Sequence, residues 1–221
     1  MGININIKRI FDFSLSLFGI IASFPVWLVI AFLIWLEDGG EIFCHQDRVG
    51  KGGVLFESLK FRSMFKDAEK TTGPIQAAQF DVRTTKLGRL LRITAMDELP
   101  QLLNILKGDM SFVGPRALRP VETDAHETVA KSVWEFEGFK ERSRIQPGLT
   151  GIAQILAPRD IARNEKFKYD IWYVKNKCFM LDLFLILLSF LITFTGEWEI
   201  KGEKLSFFTK FLKRRVDKQL D

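Results

Sequence analysis

Two adjacent carboxylates, Asp97 and Glu98, stand just before Leu99-Pro100-Gln101, and a Gly114-Pro115-Arg116 turn follows them. Cations gather on both sides. Lys60 and Arg62 occupy alternate positions of an extended segment, so on a strand they project from one face. Lys86, Arg89 and Arg92 recur at a spacing that brings them together on a helix. Paired acids among Lys and Arg suit chemistry on a phosphate. Phosphoryl transfer depends on positioning and on neutralising the oxygens of the transferred group. The bland reading of the same residues is a helix-capping aspartate beside a solvated basic face.

The elements that must place these residues follow from the local sequence. Proline is tolerated in the first helical turn, where backbone N–H groups lack partners. Taking Asp97 as the cap puts Pro100 inside that turn, and the helix then runs through Leu102, Leu103, Ile105 and Leu106 to a stop at Gly108. Both carboxylates would sit at its positive end, which favours anions. Upstream, Leu87, Leu90 and Leu91 read as the buried face of a basic helix. Gln46 to Gly53 reads as a turn between short strands. The polar stretch Lys66 to Gln79 reads as a loop, and with the region from Val121 to Arg144 it is the place to look for substrate specificity.

A second feature narrows the setting. From Phe13 to Leu36 there is no charged residue. A helix of about 20 apolar residues crosses a bilayer core. Pro25 divides the run, and a proline inside a helix bends it. Each half would be roughly 18 Å long, too short to cross alone. The helix either spans with a kink or dips in and returns to the same face. Lys8 and Arg9 lie before it, and Arg48, Lys51 and Lys60 lie after it. Basic flanks mark the cytoplasmic side, so basic residues on both sides favour re-entry. Asp12, one turn from Arg9, is expected to pair with it.

The remaining composition agrees with a membrane setting. The net charge is +5, with 21 Phe and 5 Trp in 221 residues. A basic balance fits anionic lipid, a phosphorylated substrate or nucleic acid, but no nucleic-acid recognition motif accompanies it. Phe179 to Phe194 is short for a span and carries Asp182, which suits an interfacial or half-buried helix. Leu205, Phe207, Phe208, Phe211 and Leu212 interleave with Lys204, Lys210, Lys213, Arg214 and Arg215, as in a basic amphipathic helix at a membrane surface. Cys44 and Cys178 read as reduced thiols of a cytoplasm-facing protein, and the isolated His45 and His126 as structural or exposed.

Taken in order, these residues resemble the bacterial sugar transferases, the monotopic phosphoglycosyl transferases that act on a polyprenol phosphate carrier. The likeness rests on Asp97-Glu98-Leu99-Pro100-Gln101-Leu102, Lys107-Gly108-Asp109-Met110-Ser111 and Val113-Gly114-Pro115-Arg116. It extends through Lys8-Arg9 with Asp12, Pro25, Gln46-x-Arg48-x-Gly50 and Lys60-Phe61-Arg62-Ser63-Met64. Asp81-x-Arg83-x-Thr85-x-x-Gly88, Gln146-Pro147-Gly148-Leu149-Thr150-Gly151 and Tyr169-Asp170-x-x-Tyr173 complete it. The pattern is departed from at three places. Ala95-Met96 precede the acid pair in place of Ser-Leu, Ala117 follows Arg116 in place of proline, and Phe24 rather than serine precedes Pro25.

The resemblance implies an α/β fold, mostly helical with few short strands. It would form a compact membrane-associated catalytic domain with an N-terminal re-entrant helix and interfacial amphipathic helices. The expected divisions are a membrane-embedded helix at 1–40 bent at Pro25, a catalytic domain at 41–200, and a basic amphipathic segment at 201–221. Asp97 would be the nucleophile and a ligand of Mg²⁺, with Glu98 its partner. Lys60, Arg62, Arg92, Arg116 and Arg159 would bind substrate. The donor would be a UDP-sugar and the acceptor undecaprenyl phosphate, with UMP released. Membrane lipid and downstream glycosyltransferases would be partners, at the bacterial inner membrane facing the cytoplasm. The competing expectation is a non-catalytic membrane scaffold that binds nucleotide or anionic lipid. A glycosidase fits poorly, because its two acids must face each other across a bond, roughly 5–9.5 Å apart.

Overall fold

The computed structural model of the chain describes residues 7–66, 68, 81–122, 131–157, 161–195 and 206–220. The loop expected between Lys66 and Gln79 lies almost wholly outside them, as do Arg159 and His126. Among the described residues the molecule is mostly helical, with three two-stranded sheets.

The longest element is α1 (Ile7–Asp38), 32 residues with Pro25 inside it. The helix continues through the proline. Beside it, the Ser23 hydroxyl donates to the Gly19 carbonyl at 2.6 Å and accepts from Trp27 Nε1 at 2.9 Å. One side of α1 meets protein: Trp27, Ile30 and Ile34 pack with Phe61 and Leu91, while Gly19 and Ile20 lie against the Leu102 region. The other side exposes Phe13, Leu17, Phe18, Ile21, Phe24, Leu28, Val29 and Phe32.

The start of α1 is gripped by charge. Lys8 Nζ donates to Asp182 at 2.6 Å. Arg9 donates to the carbonyls of Ile105 and Leu106, each at 2.6 Å. Asp12 accepts from the Phe112 backbone N–H at 3.2 Å. The expected Asp12–Arg9 pair is therefore replaced by two tertiary contacts. The last carbonyls of a helix lack intrahelical partners, and they bind the Arg9 guanidinium directly.

Strands β1 (Phe43–Val49) and β2 (Leu55–Phe61) form an antiparallel hairpin in which Val49 faces Leu55 and Phe43 faces Phe61. The turn begins at Gly50, later than expected, so Gln46 and Arg48 belong to the strand. Gly52 and Gly53 take the positive φ angles, 68° and 81°, that the reversal needs.

Helix α2 (Lys86–Ile93) is entered through a local network. Arg83 pairs with Asp81 through Nε at 2.9 Å and NH2 at 2.6 Å, and the Thr85 hydroxyl caps the helix by accepting from Gly88 N at 2.8 Å. Leu87 and Leu91 turn inward as expected, but Leu90 is exposed. Helix α3 (Gln101–Lys107) stops at Gly108, whose φ is 101°.

The rest of the unit closes around these helices. β3 (Ser111–Val113) pairs in parallel with β6 (Gly148–Thr150), and β4 (Val121–Glu122) pairs antiparallel with β5 (Lys131–Ser132). Helices α4 (Phe139–Arg142), α5 (Ile152–Leu156), α6 (Arg163–Asn176), α7 (Phe179–Thr195) and α8 (Ser206–Leu220) follow. Val113, Ile152, Leu156, Trp172, Tyr173 and Leu185 form one core with Leu212 and Val216 of α8. Leu212, expected among the lipid-facing residues of the last helix, turns into the protein. Helix α7 is half-buried: Leu185, Leu188 and Ile192 face in, while Met180, Leu187 and Phe190 face out.

Candidate active site

The acid pair does not begin the helix. Met96–Glu98 form a separate 3-10 turn, Pro100 occupies the capping position of α3, and the Asp97 side chain caps nothing there. The cause lies one residue earlier. Ala95 adopts a left-handed conformation, φ 53° and ψ 17°, which reverses the chain after α2 and begins a new turn. It is the one non-glycine residue with positive φ among those described. Such a conformation costs roughly 1–2 kcal/mol, and strain of this kind gathers at functional sites.

The turn leaves the two carboxylates in different surroundings. Asp97 is buried, at 8% exposure. Burial pushes its carboxyl up to about 6, with Lys60, Arg92 and Arg116 pulling the other way and Glu98 adding to the rise. Glu98 is held by cations. Lys60 Nζ donates to its Oε1, and Arg116 NH2 lies 3.8 Å from the same oxygen. Burial raises its carboxyl too, but Lys60, Arg116 and Arg48 outweigh that and bring it down to about 2. One acid is thus fixed as an anion, and the other becomes one as the pH passes about 6.

The strand carrying Lys60 packs on the helix after Glu98 through Phe56 and Phe61, and Asn104 adds hydrogen bonds between them. Its Nδ2 donates to the Glu57 carbonyl at 2.7 Å, and its Oδ1 accepts from Leu59 N at 3.0 Å. The amide completes the edge of β2 much as another strand would. Asn104 was not among the expected site residues. Its signal was a polar residue on the core face of α3, between Leu103 and Ile105.

The expected substrate-binding cations separate into groups. Lys60 and Arg116 reach Glu98 directly and act on Asp97 through charge. Arg92 acts on Asp97 from the end of α2, where its Nε donates to Ser63 Oγ at 2.9 Å. Arg62 follows the end of β2, where its backbone N–H donates to the Ile42 carbonyl at 2.9 Å. The cations that weigh most on the two acids are Lys60, Arg92, Arg116 and Arg48. Arg48, not assigned a role from sequence, lies in the same cleft.

That cleft is lined by Arg48, Ser58, Lys60, Glu98, Gln101 and Arg116, with Gly148 and Leu149 at its wall. Glycines make the wall possible. A Cβ on Gly148 would sit 2.1 Å from Gly114 N, and one on Gly114 would sit 2.4 Å from the Gln146 carbonyl oxygen. The Gly-Pro-Arg turn and the Gln-Pro-Gly-Leu-Thr-Gly segment therefore lie backbone against backbone, with Gly148 N donating to Pro115 O at 2.9 Å.

Behind this wall Arg142 and Asp170 form a buried pair, Nε to Oδ2 at 2.9 Å. Burial raises the Asp170 carboxyl, and Arg142 offsets part of that rise. Tyr173 donates to Asp182 and to the Val113 carbonyl. Among the described residues no group of three or more His, Cys, Asp or Glu side chains could hold a metal ion. Mg²⁺ commonly binds through one or two carboxylates, keeping waters and substrate phosphates as its other ligands. The adjacent carboxylates of Asp97 and Glu98 fit that mode, and an all-protein cage is absent from the described residues.

A basic cleft lined by the cation-held Glu98, with the buried carboxylate of Asp97 one residue before it, is suited to chemistry on a phosphoryl group. Comparison with known proteins agrees. The sequence model described as bacterial sugar transferase matches residues 3–196. The chain is 35% identical over 193 residues to the exopolysaccharide production protein ExoY of Sinorhizobium fredii, covering 81% of each chain. It is 37% identical over 193 residues to the UDP-glucose:undecaprenyl-phosphate glucose-1-phosphate transferase of Klebsiella pneumoniae, covering 85% of this chain and 40% of that one. Over 194 residues it is 35% identical to the UDP-N-acetylgalactosamine-undecaprenyl-phosphate N-acetylgalactosaminephosphotransferase of Aeromonas hydrophila, covering 86% of this chain and 44% of that one. With its length matched from near the start through α7, the chain belongs to the bacterial sugar transferase family and is a phosphoglycosyl transferase.

Proposed function

We propose that the chain transfers a sugar phosphate from a UDP-sugar to undecaprenyl phosphate through a covalent intermediate on Asp97. The observation that carries this reading is the unequal acid pair: Asp97 buried and close to neutrality, Glu98 held ionised by Lys60 and Arg116. An Asp97 oxygen attacks the β-phosphorus of the UDP-sugar. The bond from that phosphorus to the bridging oxygen breaks, and UMP leaves with the electron pair. An oxygen of the polyprenol phosphate then attacks the same phosphorus and returns the Asp97 carboxylate. Lys60, Arg92 and Arg116 neutralise phosphate oxygens as charge moves between them. Arg62 and Arg159 complete the proposed set of substrate-binding cations; Arg159 lies outside the described residues.

Asp97, with Glu98 beside it, would hold Mg²⁺, which supplies charge to offset repulsion between a carboxylate nucleophile and a diphosphate. Glu98 keeps Lys60 and Arg116 gathered at the cleft.

The reading also places α1 in the membrane from one face. Helix α1 is long and apolar enough to cross a bilayer, and only 17% of its most apolar window is buried. Yet both of its halves pack on the same unit: Lys8, Arg9 and Asp12 at one end, and Trp27, Ile30 and Ile34 at the other. A helix crossing to the far side would carry one of these ends away from its partners. That supports re-entry, with 1–40 embedded, 41–200 catalytic at the cytoplasmic face of the inner membrane, and 201–221 a basic segment against it. The lipid-linked product then passes to downstream glycosyltransferases.

The test is nucleotide release over a panel of UDP-sugars, with and without polyprenol phosphate and Mg²⁺. UMP, rather than UDP, should appear. Asp97→Asn should abolish it while the protein still reaches the membrane. Robust turnover by that variant would overturn the nucleophile assignment.

A further inference from the structure

The turn that carries Arg116 is held by three separate donors to its main chain. Gly148 N donates to Pro115 O at 2.9 Å. Arg142 NH2 donates to Arg116 O at 2.7 Å. Arg48 NH1 donates to Ala117 O at 3.2 Å. Arg142 differs from Arg48 in its burial. Its side chain is 5% exposed. Nε and NH2 each lie 2.9 Å from Asp170 Oδ2, and the guanidinium carbon sits 4.4 Å from the centre of the Phe167 ring.

A buried ion pair is a costly way to fill space. Two apolar side chains of similar volume often stabilise a fold as well or better. They cannot donate to a carbonyl in a fixed direction, and a guanidinium locked by a carboxylate and a ring can. The carbonyl it meets belongs to Arg116, whose own side chain reaches forward to Glu98 and the cleft.

We propose that Arg142, locked by Asp170 and Phe167, is a positioning residue that fixes the Arg116 peptide and so aims the Arg116 side chain at the substrate phosphates. The proposal rests on the reading of the cleft as the UDP-sugar site. Arg142 is set back from that cleft and acts through Arg116 alone.

The test uses the full chain in detergent or nanodiscs and follows UMP release against UDP-sugar concentration. The variants are Arg142→Met, Asp170→Asn, the double change Arg142→Met with Asp170→Leu, and each of these combined with Arg116→Ala. The double change removes both charges together, so no lone ion is left buried. It should melt near the wild-type temperature, yet raise KM for the UDP-sugar about tenfold with a smaller change in kcat. With Arg116→Ala already present, the same change should add little, because the two residues act in series. Should the double variant not fold, Asp170→Asn decides, since it keeps the shape and loosens the guanidinium. A KM unchanged in a well-folded variant, or a rise of the same size with and without Arg116, overturns the positioning role while wild-type UMP release stands. If the wild-type protein releases no UMP from any UDP-sugar, the parent reading fails and this proposal falls with it.

Discussion

An ionised carboxylate at position 97 has little water around it, whereas one residue on, Lys60 and Arg116 supply the charge that water would. The sign of the consequence for stability can be worked out. Asp97 has an unfolded value of 3.8 and a folded value of about 6, so the folded state binds the proton more tightly. In the metal-free protein its contribution therefore falls as pH rises from about 4 to about 6. Glu98 is the reverse: its folded value is about 2 against 4.5, so its contribution is complete above 4.5 and is lost as pH falls through about 2. Asp97→Asn should accordingly stabilise the metal-free protein at neutral pH, by roughly 1–3 kcal/mol, and flatten the decline between pH 4 and 6. Thermal melting across that range checks both, and a less stable variant at neutral pH would count against the burial argument. Glu98→Gln should destabilise by roughly 1–3 kcal/mol, since it leaves Lys60 without its charge partner. At this scale the sequence was most informative about identity. The acids and the cations Lys60, Arg92 and Arg116 were legible as residue types at suggestive spacings. Their inequality was not, because it depends on which side chain the folded chain leaves in water.

Among elements, the main misreading was the start of α3, and its reason is a single φ angle. Asp97-x-x-Pro100 is a fair capping pattern, but Ala95 reverses the chain before the cap can form. Ala95→Gly should relieve that conformation and raise stability by no more than about 1 kcal/mol, because glycine also loosens the unfolded chain. Other motif residues gained structural duties that spacing alone does not reveal. Asp81, Arg83 and Thr85 build the entrance to α2, and a Cβ on Gly88 would lie 2.0 Å from the Ser63 carbonyl oxygen. Gly148→Ala should cost more than about 3 kcal/mol, since backbone must move on both strands of the wall. Asn104→Leu keeps the shape of α3's core face but breaks both bonds to β2. A loss of roughly 2–3 kcal/mol by denaturation is expected, together with a fall in UMP release as Lys60 and Glu98 lose their fixed spacing. Unaltered turnover would remove Asn104 from the site. The hairpin, the helices α1, α2, α7 and α8 and the Gly108 stop could be read from local patterns, whereas α4, α5 and α6 were not. The long-range partners of Arg9, Asp12, Asn104 and Arg142 could not, because each lies many residues away along the chain.

For the whole molecule, the decisive arrangement is that α1 touches the catalytic unit at both ends. On the proposed reading, single-cysteine labels placed just before Ile7 and at Glu41 should react with an impermeant reagent from the same side of sealed vesicles. Reaction from opposite sides would establish a crossing and sink re-entry. The grip of Lys8, Arg9 and Asp12 also bears on biogenesis. On that reading, helix α1 leaves the ribosome before the residues it binds, so the carbonyls of Ile105 and Leu106, the Phe112 amide and Asp182 would meet a segment already committed to the bilayer. Assembly of the acid pair's supporting helix is then coupled to insertion. On the same reading, a chain that misses the membrane would keep a long apolar helix in water and leave α3 without its Arg9 partner, so synthesis in the wrong place is expected to yield an aggregate and not a stray soluble transferase.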